Sequence, residues 1–393
     1  MTPVDVIAKL AAHKNVLLEG PPATGKTRLM TEVLERIKAT GAATGGGPPK
    51  LNALDPKRPF IQGAGKGDPT PLPRNMIVRW VTFHAGFMYE DFVVGKRPIP
   101  GAAGFALKPF LGTLMSAATL LTPGSDTGVL LVIDELNRGN VGQVFGEFMT
   151  ALDPEYRATV RGKANPLAVR PRLPGLRYEG AESEEVHTDD GRKLKLPMDW
   201  AFPEQFFVLA TMNSVDKAAL PLDVAITRRF YRMVCAPDLG ELAKRLGLDW
   251  AKMEDRAKAV RAGGDAWKTT TAEEVSLLLL ERLNFAIAED VGTDFELGHG
   301  LVWPVVEAQA DQRWDVLLDV WEHALKPQLA ERFAGNRQSL RSILKIGSDA
   351  AHSVYTERGL RGSAVRSEGL IELPSLLEVE RASAMTTLRW LAV

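Results

Sequence analysis

The strongest constraint on the fold is a set of near-continuous apolar runs that recur along the chain up to residue 213. They read NVLLEG at 15–20, MIVRWVTF at 76–83, GVLLVIDE at 128–135 and FFVLATMN at 206–213. Strands buried on both faces need apolar residues at nearly every position, and such strands occur in parallel sheets that helices cover. Helix-like segments separate the runs. The sequence therefore predicts an α/β domain with a parallel sheet flanked by helices.

Length and charge limit the classes of function. The chain has 393 residues, with 48 basic and 49 acidic side chains, and its formal net charge is −1. A near-neutral chain is not a polycation built to coat nucleic acid or an anionic membrane. There is one cysteine, Cys235, and no run reaches the ~20 apolar residues that span a bilayer. We therefore expect a cytoplasmic protein that does not contact a membrane.

The sequence pattern changes near residue 238, which predicts a domain boundary. Beyond it, stretches such as AEEVSLLLLERLNFAIAED have helical periodicity. We expect an α/β domain over 1–237, a smaller all-α domain over 238–346 and a C-terminal extension over 347–393. Inside the first domain, residues 41–73 are rich in glycine and proline, which predicts a loop.

A charged insertion is predicted at 155–198. Residues 157–177 carry six basic residues and no acid, namely Arg157, Arg161, Lys163, Arg170, Arg172 and Arg177, whereas 179–190 carries six acids and no Lys or Arg. One interpretation is an arm that contacts nucleic acid. The other is a hairpin whose two arms neutralise each other, and the near-zero sum of charge favours it.

Residues 20–27, GPPATGKT, have the spacing G-x-x-x-x-G-K-[ST] of a phosphate-binding loop. They follow an apolar run and precede the helix-like segment KTRLMTEVLERIKAT, which is the context that this motif requires. In such a loop the backbone N–H groups face a phosphate, the lysine reaches the β and γ phosphates, and the hydroxyl binds Mg²⁺. The predicted nucleotide-binding residues are Gly20, Pro21, Pro22, Ala23, Thr24, Gly25, Lys26 and Thr27.

Polar side chains end two of the other apolar runs. Asp134 and Glu135 follow VLLVI, and Asn213 closes FFVLATMN. Because ligands bind at the carboxyl ends of parallel strands, we assign Asp134 and Thr27 to Mg²⁺ and Glu135 to polarising the attacking water. Asn213 is assigned to holding that water or touching the γ-phosphate, although an Asn after a strand is often a simple turn former.

Arg228 and Arg229 end the short helical stretch LPLDVAIT. Arginines so placed can reach the γ-phosphate of a neighbouring subunit, which would require a ring of subunits. Adjacent arginines are also common at solvated helix ends. The scattered histidines His84, His299 and His323 predict no metal site.

In their order along the chain, these motifs resemble the AAA+ superfamily and, within it, the McrB-like family, the NTPase subunits of methylcytosine-dependent restriction systems. Four blocks carry the resemblance: VTFHAGFMYEDFVVGKRPI at 81–99, IDELNRGNVGQVFGEFMTALD at 133–153, LATMNSVDKAALPLDVAITRRF at 209–230 and FELGHGLVW at 295–303. The similarity spans roughly residues 14–345. It implies an AAA+ P-loop NTPase fold followed by a smaller all-α lid.

The resemblance also implies a ring, expected to be a hexamer, with the nucleotide between subunits. Lys26, Thr27, Asp134, Glu135 and Asn213 would act in cis, and Arg228 and Arg229 in trans. A separate McrC-like nuclease subunit would be the partner. Residues 84–110 would match an insertion into helix 2, and the loop 138–142 would contact the partner or the ring interior.

Three departures from the family pattern qualify the resemblance. Ala23 stands where relatives commonly have glycine, MNSVDKA differs from the usual MNTADRS, and GHGLV differs from GHSYF. The last two differences leave ATP and GTP equally acceptable as substrates. Only residues 1–14 precede the first predicted strand, so we expect DNA to be recognised through partner subunits.

Two other functions stay open. A MoxR-type chaperone ATPase that remodels protein complexes would share the P-loop chemistry, although the EDFVVG and IDELNRGN blocks favour the restriction or antiviral motor. A nucleotide-dependent scaffold that barely hydrolyses is less favoured, because a degenerate site would lose Glu135.

Overall fold

The computed structural model describes residues 1–39, 72–73, 75–101, 104–121, 127–160, 163–168, 182–215, 224–346, 352–358 and 370–393. Most of the loop predicted at 41–73 lies outside these ranges. The chain forms two compact units. The α/β unit comprises residues 1–19 and 26–235, and the helical unit comprises residues 20–25 and 236–393.

The described part of the α/β unit alternates strands with short helices. Its strands are β1 (Asn15–Gly20), β2 (Asn75–Thr82), β3 (Val94–Gly101), β4 (Gly104–Leu111), β5 (Thr127–Asp134), β6 (Thr159–Val160), β7 (Lys163–Ala164), β8 (Ser183–Thr188), β9 (Lys193–Pro197), β10 (Phe206–Asn213) and β11 (Tyr231–Val234). Its helices are α1 (Pro3–His13), α2 (Lys26–Ala39), α3 (Tyr89–Phe92), α4 (Thr113–Ala118), α5 (Val141–Phe145), α6 (Phe148–Ala151) and α7 (Val224–Thr227). Leu136–Arg138 and Pro154–Tyr156 form 3₁₀ turns.

The central sheet has the strand order β11-β1-β10-β5-β2. The pairs β1 with β11, β10 with β5 and β2 with β5 are parallel. The four apolar runs of the sequence form β1, β2, β5 and β10, which confirms the predicted parallel sheet. On one side of β1 lie β10, β5 and β2, and on its other side lies β11. In α/β folds, ligands bind at the carboxyl ends of the strands where the strand order changes direction in this way.

Helices cover both faces of the central sheet. Leu130 and Val132 of β5 pack in one core with residues of α1 and α2, such as Leu10 and Met30. Leu131 of β5 packs in the opposite core with residues of α4, α5 and α6. The alternation of side chains along β5 therefore requires apolar residues at every position, as the sequence shows.

A second sheet has the order β3-β4-β8-β9. It joins the two segments predicted as separate insertions, because β4 of the 84–110 segment pairs in parallel with β8 of the 155–198 segment. The turn between β8 and β9 is anchored on the central sheet. Arg79 of β2 donates to Asp189 at 2.8 Å and to Asp190 at 3.2 Å, and its side chain is only 7% exposed.

The charges of the 155–198 segment are distributed differently from the expectation. In the β8 and β9 hairpin, Glu185 lies opposite Lys195, so the complementary arms fall within residues 183–197. Arg157 is completely buried, which excludes it from a solvent-facing arm. Lys163 is exposed on β7. The remaining basic residues of the prediction, Arg161, Arg170, Arg172 and Arg177, lie outside the described residues.

The helical unit follows. Its described helices are α8 (Leu239–Arg245), α9 (Trp250–Arg261), α10 (Ala272–Asp290), α11 (Trp303–Glu307), α12 (Arg313–Val320), α13 (Lys326–Arg332), α14 (Arg337–Ile343) and α15 (Arg381–Leu391), with 3₁₀ turns at Ala266–Thr269, Thr293–Phe295 and His299–Val302 and a short antiparallel pair of β12 (Thr356–Arg358) and β13 (Leu370–Glu372). Trp321–Leu325 forms a π-helical turn before α13, where Pro327 cannot continue the regular hydrogen bonding.

The long helix α10 is the centre of the helical unit. It begins with a capping box between Thr271 and Glu274 and buries most of its length. Leu388 and Leu391 of α15 lie in the same core, so the residues predicted as an extension from 347 pack with the helical unit where they are described. Within the described residues, no helix combines the length and the apolar character needed to cross a membrane.

Candidate functional site

The predicted phosphate loop, residues 20–25, is a strained turn between β1 and α2. Gly20 and Gly25 have φ values of 152° and 83°, and Ala23 has a φ of 61°. The left-handed region disfavours a residue with a Cβ, so Ala23 adopts this conformation at a cost of about 1–2 kcal/mol. The side chain of Thr24 is buried and donates to the Pro21 carbonyl oxygen at 2.9 Å, which ties the loop to itself.

Lys26 and Thr27 begin α2 directly after the loop. Lys26 is 7% exposed, whereas Thr27 is exposed. Burial lowers the pKa of the Lys26 ammonium, and the nearby Cys235, Glu135 and Asp134 act in the opposite direction. Lys26 is therefore close enough to Asp134 and Glu135 for their charges to affect its pKa.

Asp134 and Glu135 lie where β5 ends. Thr211 of the neighbouring β10 donates its hydroxyl to Asp134 Oδ1 at 2.6 Å and accepts from the backbone N–H of Glu135 at 3.2 Å. Glu135 has a φ of 58°, a conformation that costs a non-glycine residue about 1–3 kcal/mol and is often found at functional sites. The two acids therefore contact different residues of β10: Asp134 contacts Thr211, and Glu135 contacts Asn213.

Asn213 and Arg138 hold the Glu135 carboxylate. The Asn213 side-chain amide donates to both carboxylate oxygens, at 2.9 and 3.0 Å. Arg138 donates to Glu135 Oε2 at 3.4 Å and is half exposed. Because Asn213 contacts the acid, the structure gives it a defined neighbour at this edge of the sheet rather than a turn-forming contact alone.

Asn137 and Thr211 are site residues that the sequence analysis did not single out. Asn137 is 6% exposed, and its side chain donates to the Asn213 carbonyl oxygen at 2.9 Å. Its Oδ1 is buried and has no hydrogen-bond partner among the described residues. The available signal was position: Asn137 follows the acid pair by two residues, and Thr211 precedes Asn213 by two.

The donors at this edge fit magnesium. Mg²⁺ prefers oxygen ligands and usually binds to one or two carboxylates while keeping several waters. Asp134 is partly exposed and offers a carboxylate, and Thr27 offers an exposed hydroxyl. The described residues contain no cluster of three or more His, Cys, Asp or Glu side chains that could hold a metal by themselves. These two donors would therefore hold Mg²⁺ only together with phosphate and water.

Arg228 and Arg229 lie at the opposite end of the central sheet. Tyr231 pairs with Val16 near the start of β1, so the arginines precede the amino ends of these strands. The Arg229 side chain is 9% exposed and forms an ion pair with Asp153 at 3.1 Å. The Arg228 side chain is exposed. The structure thus brings Lys26, Asp134, Glu135 and Asn213 together and leaves the arginine pair apart from them.

Comparisons with known proteins agree with this architecture. The family model described as McrB, alpha-helical lid domain, matches residues 276–341. The chain is 24% identical over 225 residues to the Type IV methyl-directed restriction enzyme EcoKMcrB subunit of Escherichia coli K12, covering 57% of this chain and 36% of that protein. It is 26% identical over 262 residues to the Type II restriction enzyme BsuMI component YdiS of Bacillus subtilis, covering 65% and 61%. Together these matches support a McrB-like AAA+ protein.

The lid match falls in the helical unit and contains most of α10, all of α11, α12 and α13, and most of α14. The chain spans 36% and 61% of the lengths of the two relatives. Among solved structures, Caenorhabditis elegans PCH-2 is similar at 10% identity and a TM-score of 0.31, over 82% of this chain and 69% of that one. A TM-score of this size is too low to support any conclusion.

Proposed function

We propose that this McrB-like AAA+ protein hydrolyses ATP or GTP, and that it works as a ring-forming motor subunit of a restriction or antiviral complex. The contact of Asn213 with both oxygens of Glu135 is the observation that carries the proposal. Because the Asn213 amide donates to both oxygens of the Glu135 carboxylate near Lys26, it fixes the orientation in which that carboxylate can accept a proton. A scaffold that only binds nucleotide has no need of such an arrangement.

Each residue of the site has a role in this proposal. Residues 20–25 would offer backbone N–H groups to the phosphates, and Lys26 would neutralise charge on the β and γ phosphates. Glu135 would orient the attacking water, with its carboxylate held by Asn213. Thr211 would fix Asp134 through its hydroxyl. Mg²⁺, bound between Asp134, Thr27 and the phosphates, would supply charge stabilisation at the γ-phosphate.

The position of the arginine pair supports action between subunits. A strand of six residues such as β1 is about 20 Å long at ~3.3 Å per residue. Arg228 precedes the amino end of the sheet, while Asp134 ends β5 at the carboxyl end. Within one copy the two sites are therefore separated by the length of the sheet. We propose that Arg228 reaches the γ-phosphate of a neighbouring copy, while Arg229 braces the helix end through Asp153.

The proposal about partner subunits is based on the relatives and not on the geometry of the site. Both curated relatives carry names of restriction enzyme components. We propose a McrC-like nuclease as the partner, with DNA contacted through partner subunits, and a hexamer as the ring. The exposed, basic Arg138 beside Glu135 is a candidate link between the partner and the hydrolytic acid.

Phosphate release from ATP and from GTP with Mg²⁺, with and without the partner nuclease, tests the proposal. We expect Lys26→Ala and Arg228→Ala each to remove most of the turnover, because one loses phosphate charge and the other the neighbouring guanidinium. Mixing the two variants should restore part of the activity, since some interfaces then pair an intact P-loop with an intact arginine. Absence of rescue at every mixing ratio would rule out an arginine that acts between subunits.

A further inference from the structure

Residues Gly298–Gly300, within the block FELGHGLVW, contact the predicted phosphate loop. Both segments belong to the helical unit, which comprises residues 20–25 and 236–393. The backbone N–H of Gly300 donates to the Ala23 carbonyl oxygen at 2.8 Å. A Cβ placed on Gly298 would lie 2.2 Å from the Pro22 carbonyl oxygen and 2.3 Å from the Ala23 carbonyl carbon. Because these obstacles are backbone atoms, they cannot rotate away. Gly298 is therefore required by close approach of two backbones.

Gly300 is restricted in the same way. A Cβ at this position would lie 2.8 Å from the Ala23 carbonyl oxygen that its own N–H contacts. The contact is made at the strained residue of the loop, since Ala23 has a φ of 61°. A hydrogen bond at that residue offsets part of the cost of its conformation. The pair of glycines thus fixes the turn that the phosphate loop must adopt.

His299 lies between the two glycines and is 9% exposed. Its Nδ1 accepts a hydrogen bond from the Asp238 backbone N–H at 3.0 Å, at the start of α8. A ring nitrogen that accepts carries no hydrogen, so the neutral imidazole bears its hydrogen on Nε2. Nε2 lies 3.9 Å from the position that a Cβ on Gly25 would take. The donor edge of the ring is therefore turned toward the second glycine of the loop.

We propose that Gly298, His299 and Gly300 are positioning residues for nucleotide binding. We call them the loop latch: they hold residues 20–25 in the conformation that accepts the phosphates of a nucleoside triphosphate. The inference rests on the proposed nucleotide binding and adds the part of the helical unit that prepares the loop. It also gives a physical reason for glycine at both flanks of the histidine.

Equilibrium titration with mant-ATP and mant-GTP in the presence of Mg²⁺ tests the loop latch. Gly298→Ala should weaken binding about ten- to a hundredfold, because the new Cβ must displace the Pro22 and Ala23 backbone. The far-UV circular dichroism should stay at its wild-type values, and the melting midpoint measures how much stability the displaced backbone costs. Gly335→Ala is the matched control, since Gly335 lies in the same unit with no atom within 4 Å of its Cβ position and no positive φ.

Two substitutions separate a role in the loop from a role in capping α8. In His299→Asn, the side-chain oxygen can replace Nδ1 as the acceptor for the Asp238 N–H, but the side chain ends short of Gly25. In His299→Gln, the longer side chain reaches toward Gly25 but does not replace Nδ1 as that acceptor. We expect His299→Gln to bind nucleotide more tightly than His299→Asn and to have the lower KM of the two variants. Wild-type affinity in His299→Asn with a loss in His299→Gln would assign the histidine to capping alone and remove it from the latch.

The outcomes distinguish this inference from the function on which it rests. If the wild-type chain binds neither mant-ATP nor mant-GTP, the proposed nucleotide binding is wrong, and the inferred role of the loop latch is wrong as well. If the wild type binds and Gly298→Ala binds equally well, nucleotide binding stands and the latch alone is wrong. A loss confined to Gly298→Ala, with Gly335→Ala unchanged, supports both.

Discussion

At the carboxyl ends of β5 and β10, the side chains of Asp134, Glu135 and Asn213 are partly exposed and bond to neighbouring side chains. At the amino ends of β1 and β10, by contrast, Asn15 and Arg157 are buried and bond mainly to backbone carbonyl oxygens. Glu135 represents the first arrangement, with its strained φ of 58° and its carboxylate held by Asn213. Arg157 represents the second. The difference suggests that one end of the sheet is arranged for chemistry and the other for stability.

Arg157 is the centre of the amino end. It is completely buried and donates to four carbonyl oxygens and one side-chain oxygen, those of Ala151, Leu152, Glu204, Phe206 and Asn15. Asn15 in turn donates to the carbonyl oxygens of Leu152 and Arg229. Burial lowers the pKa of Arg157 to about 9, and the charges of Asp153 and Glu204 act against that change. One guanidinium thus joins the starts of two strands to the segment after α6.

The largest effect on stability is expected from Arg157→Met. It would remove the guanidinium donor from four carbonyl oxygens, of which that of Leu152 keeps the Asn15 side chain as a donor. We expect a loss of about 3–5 kcal/mol in the free energy of unfolding. Urea unfolding followed by circular dichroism measures it, with the exposed Arg36→Met as the control. Equal unfolding midpoints for the two variants would break the comparison, because the amino end would then not be a centre of stability.

Glu135→Gln should have the opposite profile. The substitution keeps the size of the side chain but removes the charge that, in the proposed mechanism, orients the attacking water. We expect turnover to fall at least about a hundredfold, or ~3 kcal/mol in the barrier, while nucleotide binding persists. Stability should change by less than about 1 kcal/mol. Steady-state phosphate release and mant-nucleotide titration measure the two effects, and Glu155→Gln, an exposed glutamate, is the control. Undiminished turnover would remove Glu135 from the mechanism.

The contrast between the two ends also marks what the sequence could predict. The buried strands were evident from their apolar runs, and the predicted 76–83 and 128–135 lie within one residue of β2 and β5. The convergence of Asp134 and Asn213 followed, because carboxyl ends of neighbouring parallel strands meet at one edge. Glu135 and its partner were therefore accessible from order and spacing alone.

The amino end and the second sheet were not accessible in this way. Arg157 stands first in a stretch of basic residues, and composition does not tell which of them is taken into the core. The pairing of β4 with β8 joins strands far apart in the chain, each with an ordinary local pattern. The contact of Gly300 with Ala23 is equally distant in sequence. Long-range pairings of this kind leave no periodic signal along the chain.

Arg229→Ala sharpens the comparison at the amino end. It removes the ion pair with Asp153 and the hydrogen bond to the Ala225 carbonyl oxygen. We expect a loss of about 1–3 kcal/mol in the free energy of unfolding, because the side chain is mostly buried. Arg228→Ala is the matched control, since it changes the adjacent exposed arginine. A drop in turnover with full stability in Arg229→Ala would assign Arg229 to the reaction and contradict its bracing role.

The smallest effect is expected from Thr211→Val, at the carboxyl end. The substitution keeps the shape of the side chain and removes the hydroxyl that donates to Asp134 and accepts from the Glu135 backbone N–H. Asp134 then loses one partner and Glu135 keeps its Asn213 contact, so we expect about a tenfold fall in turnover and a change of about 1 kcal/mol in stability. Phosphate release measured across Mg²⁺ concentrations should show that more metal is needed, because the disturbed carboxylate is the proposed metal ligand. Thr386→Val, which removes a hydroxyl bonded within α15, serves as the control. A loss of stability as large as that of Arg157→Met, with unchanged turnover, would show that the carboxyl end also serves the fold and would erase the difference between the two ends.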